Sequence, residues 1–200
     1  MKLVLKLAFL IVSITCYNCK HEESSFSDYK YAQEEQVITC SIPDAQLYNE
    51  ALHSFEADIL NYYKQKKSNI RSAYNQFLIA VTYNKIPYEA IVTPHTMKVL
   101  KALKNKPELW NGNNMNYNAQ VFSCLTDNFG SKEFATTIQS LINTNSIRVD
   151  ILAPPAKKYI KTIDNDKYLA TFIALSIYYA QLVDIDPSTI TEKPVDEMDH

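Results

Sequence analysis

The sharpest arrangement of reactive side chains is Glu50-Ala51-Leu52-His53, followed by Glu56. Helical di-iron carboxylate proteins hold metal with a Glu-x-x-His pair on each of two helices and one Glu from each of two others. Only one copy can be written here, because Val92 stands three residues before His95 where a second Glu would be needed. Glu50, His53 and Glu56 also fall beside an apolar stripe, the ordinary place for solvated polar groups. They are the candidates for an enzyme with an unfamiliar site, and no metal or other cofactor is expected. Ser27-Asp28-Tyr29-Lys30 has the bare spacing of Ser-x-x-Lys acyl-enzymes, but the companion motifs are absent.

A second set lies at residues 110–118, where Trp110 precedes a run of asparagines ending in Tyr117 and Asn118. Loops carry function more often than cores. Trp110, Asn113, Asn114 and Tyr117 could hold a glycan or peptide by stacking and amide hydrogen bonds; the plainer reading is a long turn between helices. Lys98, Lys101, Lys104 and Lys106 form a basic edge, which is either a solvated face or a contact for anionic headgroups or acidic glycans. Cys40 and Cys124 could pair in an oxidising compartment, or remain buried thiols. Gly112 and Gly130 are the only glycines. Two distant glycines cannot write a dinucleotide-binding Gly-x-Gly-x-x-Gly, a phosphate loop or a Gly-x-Ser-x-Gly elbow. No catalytic motif is found, and a non-catalytic protein is expected.

The elements that would position these residues are helices. Tyr48, Leu52, Phe55, Ile59 and Tyr62 recur at alternating spacings of four and three and so share one face. Ser41 or Asp44 can cap that helix. Ile70, Ala73, Tyr74, Phe77 and Val81 mark a second. Thr93-Pro94 supplies a cap and a first-turn proline ahead of Met97, Leu100 and Leu103. Val121, Leu125 and Phe129 mark a fourth helix, stopped by Gly130. Ser131 caps a fifth carrying Phe134, Ile138, Leu141 and Ile142. Pro154 and Pro155 are expected to break the chain and open a short helix around Tyr159 and Ile163. The last helix, from Tyr168 to Val183, is apolar on nearly all sides, which predicts a central position wrapped by the others. Residues 146–152 read as a connector, and no strand pattern competes. The spacing therefore predicts an all-α fold, an irregular bundle of about six or seven helices around the C-terminal one.

Hydrophobic residues make up 46% of the 200 and charged residues 21%, enough for one domain with a real core. Residues 40–184 carry 15 basic and 12 acidic side chains, a net of +3, between acidic segments on either side. Nucleic-acid binding would need a strong basic patch, so no nucleic-acid partner is expected.

Residues 1–15 place Lys2 and Lys6 ahead of the unbroken apolar run from Leu7 to Val12. That run is shorter than the roughly 20 residues a bilayer span requires, and short apolar runs behind positive charge are export signals. Cys16 and Cys19 close the segment, and Cys19-Lys20-His21-Glu22-Glu23 follows. This region resembles a bacterial lipoprotein signal peptide. The resemblance implies acylation of a cysteine that becomes the first mature residue. The Lys-then-acidic run resembles the surface-export signal of one large Gram-negative group. The class usually has Leu three residues before the cysteine and a small residue just before it. Cys19 has Cys16 and Asn18 there, and Cys16 has Ser13 and Thr15. The acylated residue is thus Cys19 or Cys16, with the downstream residues favouring Cys19.

The implied organisation is a signal peptide over 1–18, an acidic flexible tether over 19–39, a helical domain over 40–186 and an acidic disordered tail over 187–200. The expected place is the cell envelope, with the protein lipid-anchored at the outer membrane and facing the periplasm or the surface. Its expected partners are the membrane, through the N-terminal lipid, and an unidentified protein or glycan. The domain itself resembles small helical exported lipoproteins with no assigned task.

Overall fold

Residues 26–63 and 69–192 are described by the structure, a computed structural model. The expected signal peptide, both candidate acylation cysteines and residues 193–200 lie outside them. The fold is all-α, with eight α-helices and one minimal hairpin among the described residues.

Helix α1 (Ala45–Tyr62) buries the expected stripe of Tyr48, Leu52, Phe55 and Ile59, while Tyr62 at its end is half exposed. Asp44 holds the N-cap position with φ +59° but makes no side-chain cap bond. Its carboxylate pairs instead with Lys106 Nζ at 2.8 Å. Helix α2 (Ile70–Thr82) is capped by Asn69, whose side chain accepts from Ser72 N. A single turn, α3 (Tyr88–Ile91), leads to α4 (Pro94–Lys104), which has the expected Thr93 cap and Pro94 in its first turn.

A 3₁₀ turn then feeds the hairpin of β1 (Trp110–Asn111) and β2 (Asn114–Met115), paired antiparallel as Trp110–Met115 and Asn111–Asn114. Gly112, at φ +63°, supplies the left-handed residue that so tight a connection needs. The long turn expected here is therefore a small hairpin. Helices α5 (Gln120–Asp127) and α6 (Lys132–Asn143) follow, with Ser131 capping α6 through Phe134 N.

Helix α7 (Val149–Lys157) corrects the sequence reading, for it contains Pro154 and Pro155 rather than ending at them. Each proline forfeits one backbone bond and would normally break a helix. Here α7 packs along α2 and buries Leu152, Ala153 and Ala156, which compensates over its short length. The expected helix around Tyr159 and Ile163 is only a 3₁₀ turn, Ile160–Thr162.

The last helical run begins as α8 (Lys167–Ile173), widens to a π-turn over Ala174–Tyr178 and tightens to 3₁₀ over Tyr179–Gln181. Every residue from Leu169 to Tyr179 is buried, as the all-round apolar pattern predicts. Asp166 caps this run through Leu169 N, and its other oxygen accepts from Gly130 N at 2.9 Å. A Cβ on Gly130 would lie 3.0 Å from that oxygen, so the close approach is why glycine stands there.

The tether expectation fails from Phe26 onward. Residues 26–44 form a strap packed on α1. Val37 N donates to Asn49 Oδ1 at 3.1 Å, Asn49 Nδ2 donates to Glu35 O at 3.2 Å, and Ile38 is buried. Cys40 and Cys124 are disulfide-bonded with Cα atoms 6.2 Å apart, which fastens the strap to α5. The disordered-tail expectation likewise fails for residues 187–192. They include a 3₁₀ turn capped by Asp186, and Ile190 is buried. Among the described residues, no helix is long and apolar enough to cross a membrane.

Candidate functional site

Two polar regions could do chemistry, and one of them is already occupied by the protein itself. Contrary to the expectation of a solvated face, Glu50 and Glu56 on α1 are only 2% and 9% exposed. Glu50 accepts from Lys30 N at 2.8 Å and Tyr31 N at 3.0 Å, and pairs with His95 Nε2 at 2.7 Å. Glu56 accepts from Tyr74 OH and from Lys167 Nζ at 2.9 Å. His53 lies under the Tyr31 ring, and its Nε2 is buried with no hydrogen-bond partner among the described residues. The Glu50 carboxylate is thus engaged by the strap and by His95 on α4, and no hydrogen bond joins it to His53 among the described residues. No group of three metal-ligating side chains occurs among the described residues. The basic edge is also partly spent internally, since Lys98 pairs with Asp28 and Lys106 with Asp44.

Asp58, which sequence reading passed over, is the most perturbed acid in this network. Its Oδ2 accepts from Thr96 Oγ1 at 2.5 Å and Tyr178 OH at 2.7 Å. Burial pushes its carboxyl up to about 6, against the lowering effect of those hydrogen bonds. A folded-state value above the unfolded one means that the native protein holds this proton more tightly. Its contribution favours folding below about pH 4 and is lost as pH rises towards 6. We expect unfolding free energy to fall by roughly 3 kcal/mol across that window from this group alone. Urea titrations of the wild type and Asp58→Asn at both pH values check this. Equal pH slopes in the two proteins would rule Asp58 out as the cause.

The open region is a cleft of about 830 Å³ between α2, the hairpin, the α6–α7 connector and the π-turn. Its walls arise from four separate stretches of sequence. The end of α2 contributes Val81 and Thr82, followed by Asn84 at φ +50°. The hairpin contributes Asn111, Asn114 and Met115, with Tyr117 just after it. The connector brings Asn145 at φ +49°, then Ile147 and the Arg148–Asp150 pair. Ser176, Ala180 and Gln181 complete the lining from the last helical run.

That run is held from both sides. Tyr88 OH donates to Ile177 O at 3.2 Å, bracing the π-turn. Tyr117 packs against Phe122 with ring centroids 4.8 Å apart. Burial pushes its phenol up to about 12, partly offset by the adjacent Ser176 hydroxyl. Ser176 is fully buried, with its hydroxyl beside the Tyr117 phenol. It stands on the π-turn, an element frequently found at functional sites. Arg148 donates to both Asp150 oxygens, at 3.0 and 2.7 Å, so the cleft's two charged groups neutralise each other. The same pairing lowers the Asp150 carboxyl below its usual range.

Of the ligand residues expected from sequence, Asn114 and Tyr117 border the cleft. Trp110 does not line it, since its indole N–H donates to Leu103 O at 2.8 Å and its ring packs against the core. Asn113 sits in the hairpin turn and does not line it either. The remaining walls come from residues that sequence reading treated as helix ends and connectors. No protein family, curated protein or solved structure matches the chain.

Proposed function

We propose that the protein is an exported, lipid-anchored binding module of the cell envelope that holds a small polar ligand in this cleft without catalysis. The observation that carries the binding reading is a cleft of about 830 Å³ lined by five uncharged amide residues, Asn84, Asn111, Asn114, Asn145 and Gln181. Small-molecule sites are typically about 300–1,000 Å³, with a few polar groups converging among apolar ones. Non-catalysis is supported by where the reactive groups lie. Glu50, His53, Glu56 and Asp58 do not border the cleft, and the carboxylates are bound to internal partners.

The envelope reading is supported by the lipoprotein-like N-terminus, with Cys19 or Cys16 as the acylated residue. The Cys40–Cys124 bridge supports it independently, because structural disulfides persist in oxidising compartments.

One preparation tests both parts. Cells fed an alkyne-palmitate analogue express the intact chain, and the protein purified from detergent-solubilised envelope is analysed for label and for retained small molecules. We expect label on the wild type and none on the Cys16→Ala/Cys19→Ala double variant. We expect a small molecule that is released on denaturation and is missing from Ala180→Phe, which fills the cleft. Label surviving the double variant ends the anchoring reading. Equal retention by Ala180→Phe, shown to be folded by its melting curve, ends the cleft reading.

A further inference from the structure

Resting on the cleft as the binding site, we infer that its ligand is a short, uncharged oligosaccharide. Charge comes first. Among the described residues, Arg148 and Asp150 are the charged groups lining the cleft, and they are bonded to each other, so this lining carries no net charge that would select an anionic or a cationic ligand.

The polar equipment that remains is amide. The side chains of Asn84, Asn111, Asn114, Asn145 and Gln181 all line the cleft and make no hydrogen bond among the described residues. A primary amide offers two donors and a two-lone-pair acceptor. Sugar hydroxyls, each both donor and acceptor, match that set from any side.

The apolar side of a sugar also has a counterpart. Ile86, Met115 and Ile147 line the cleft among the amides, where a face of sugar C–H groups can cover them. An extended peptide is matched less well. It would seek a free strand edge, and the hairpin offers strands of two residues each.

Isothermal titration of the full-length acylated protein in detergent tests this. The probes are maltotetraose, cellotetraose, chitotetraose and xylotetraose, against a heparin tetrasaccharide and an uncharged tetra-alanine amide. We expect saturable binding of at least one neutral saccharide that salt does not weaken. Gln181→Ala and Asn114→Ala each weaken it about fivefold, the loss of one ordinary hydrogen bond. Asn111→Ala weakens it to the same degree.

Binding confined to the heparin fragment or the peptide overturns the inference, as does no saccharide binding or an affinity unchanged in all three variants. If the saccharides fail while Ala180→Phe still loses an envelope compound, the ligand class is wrong and the binding reading stands. If both fail, both are withdrawn.

Discussion

Replacing Cys40 and Cys124 together by serine lowers the unfolding free energy by about 4 kcal/mol and the thermal midpoint by roughly 10 °C. The bridge joins positions 84 residues apart, so it removes a large share of the disorder available to the unfolded chain. The estimate treats the effect as loop closure, which grows slowly with loop length. It also fastens a strap that has only Ile38 as a fully buried apolar anchor among residues 26–40. Non-reducing urea denaturation of the two proteins is the measurement. A double variant within 1 kcal/mol of wild type would show that hydrogen bonds alone hold the strap.

Glu50→Ala is the second large effect. It removes the acceptor for two strap amides and the partner of His95 at a site closed to water. Each strap amide left without its acceptor costs about 1–3 kcal/mol. The damage is expected to be local. Limited proteolysis should cut within residues 28–36 in the variant and not in the wild type, while the α2–α7 pairing stays protected from hydrogen exchange. Glu50→Gln keeps one oxygen acceptor and should lose less. If Glu50→Ala unfolds at the wild-type denaturant concentration with its strap intact, Glu50 is not the clasp.

Helices were legible where caps and stripes agreed. Thr93-Pro94 and Ser131 each mark a helix start by local chemistry, and the structure uses both the Thr93 and Ser131 side chains as caps. The strap was illegible for the opposite reason. Its backbone groups are satisfied by Asn49 and Glu50, side chains 12 to 20 residues further on. Polar composition looks the same whether its partners are water or a distant carboxylate. The α7 prolines misled because their penalty is local, whereas packing against α2 depends on the whole fold.

The cleft was half legible. Asn114 and Tyr117 could be named because asparagines and aromatics crowd one loop. Ser176 could not, since a serine in an apolar helix normally bonds back to its own backbone, and nothing local announces the π-turn that carries it or the Tyr117 phenol beside it. Asn84 and Asn145, both left-handed and both on the rim, carry a weak signal in retrospect. Asparagine is among the few residues that adopt that conformation readily, so each marks a sharp chain reversal.

Because Phe26 packs against the core, the body lies within a short reach of the lipid if Cys19 carries it. Seven residue steps separate the two positions, and a fully stretched chain covers at most about 25 Å over that distance. The module would ride close above the headgroups instead of roaming, with its orientation restricted. Whatever enters the cleft must then diffuse into a thin layer beside the bilayer, which favours molecules already concentrated there.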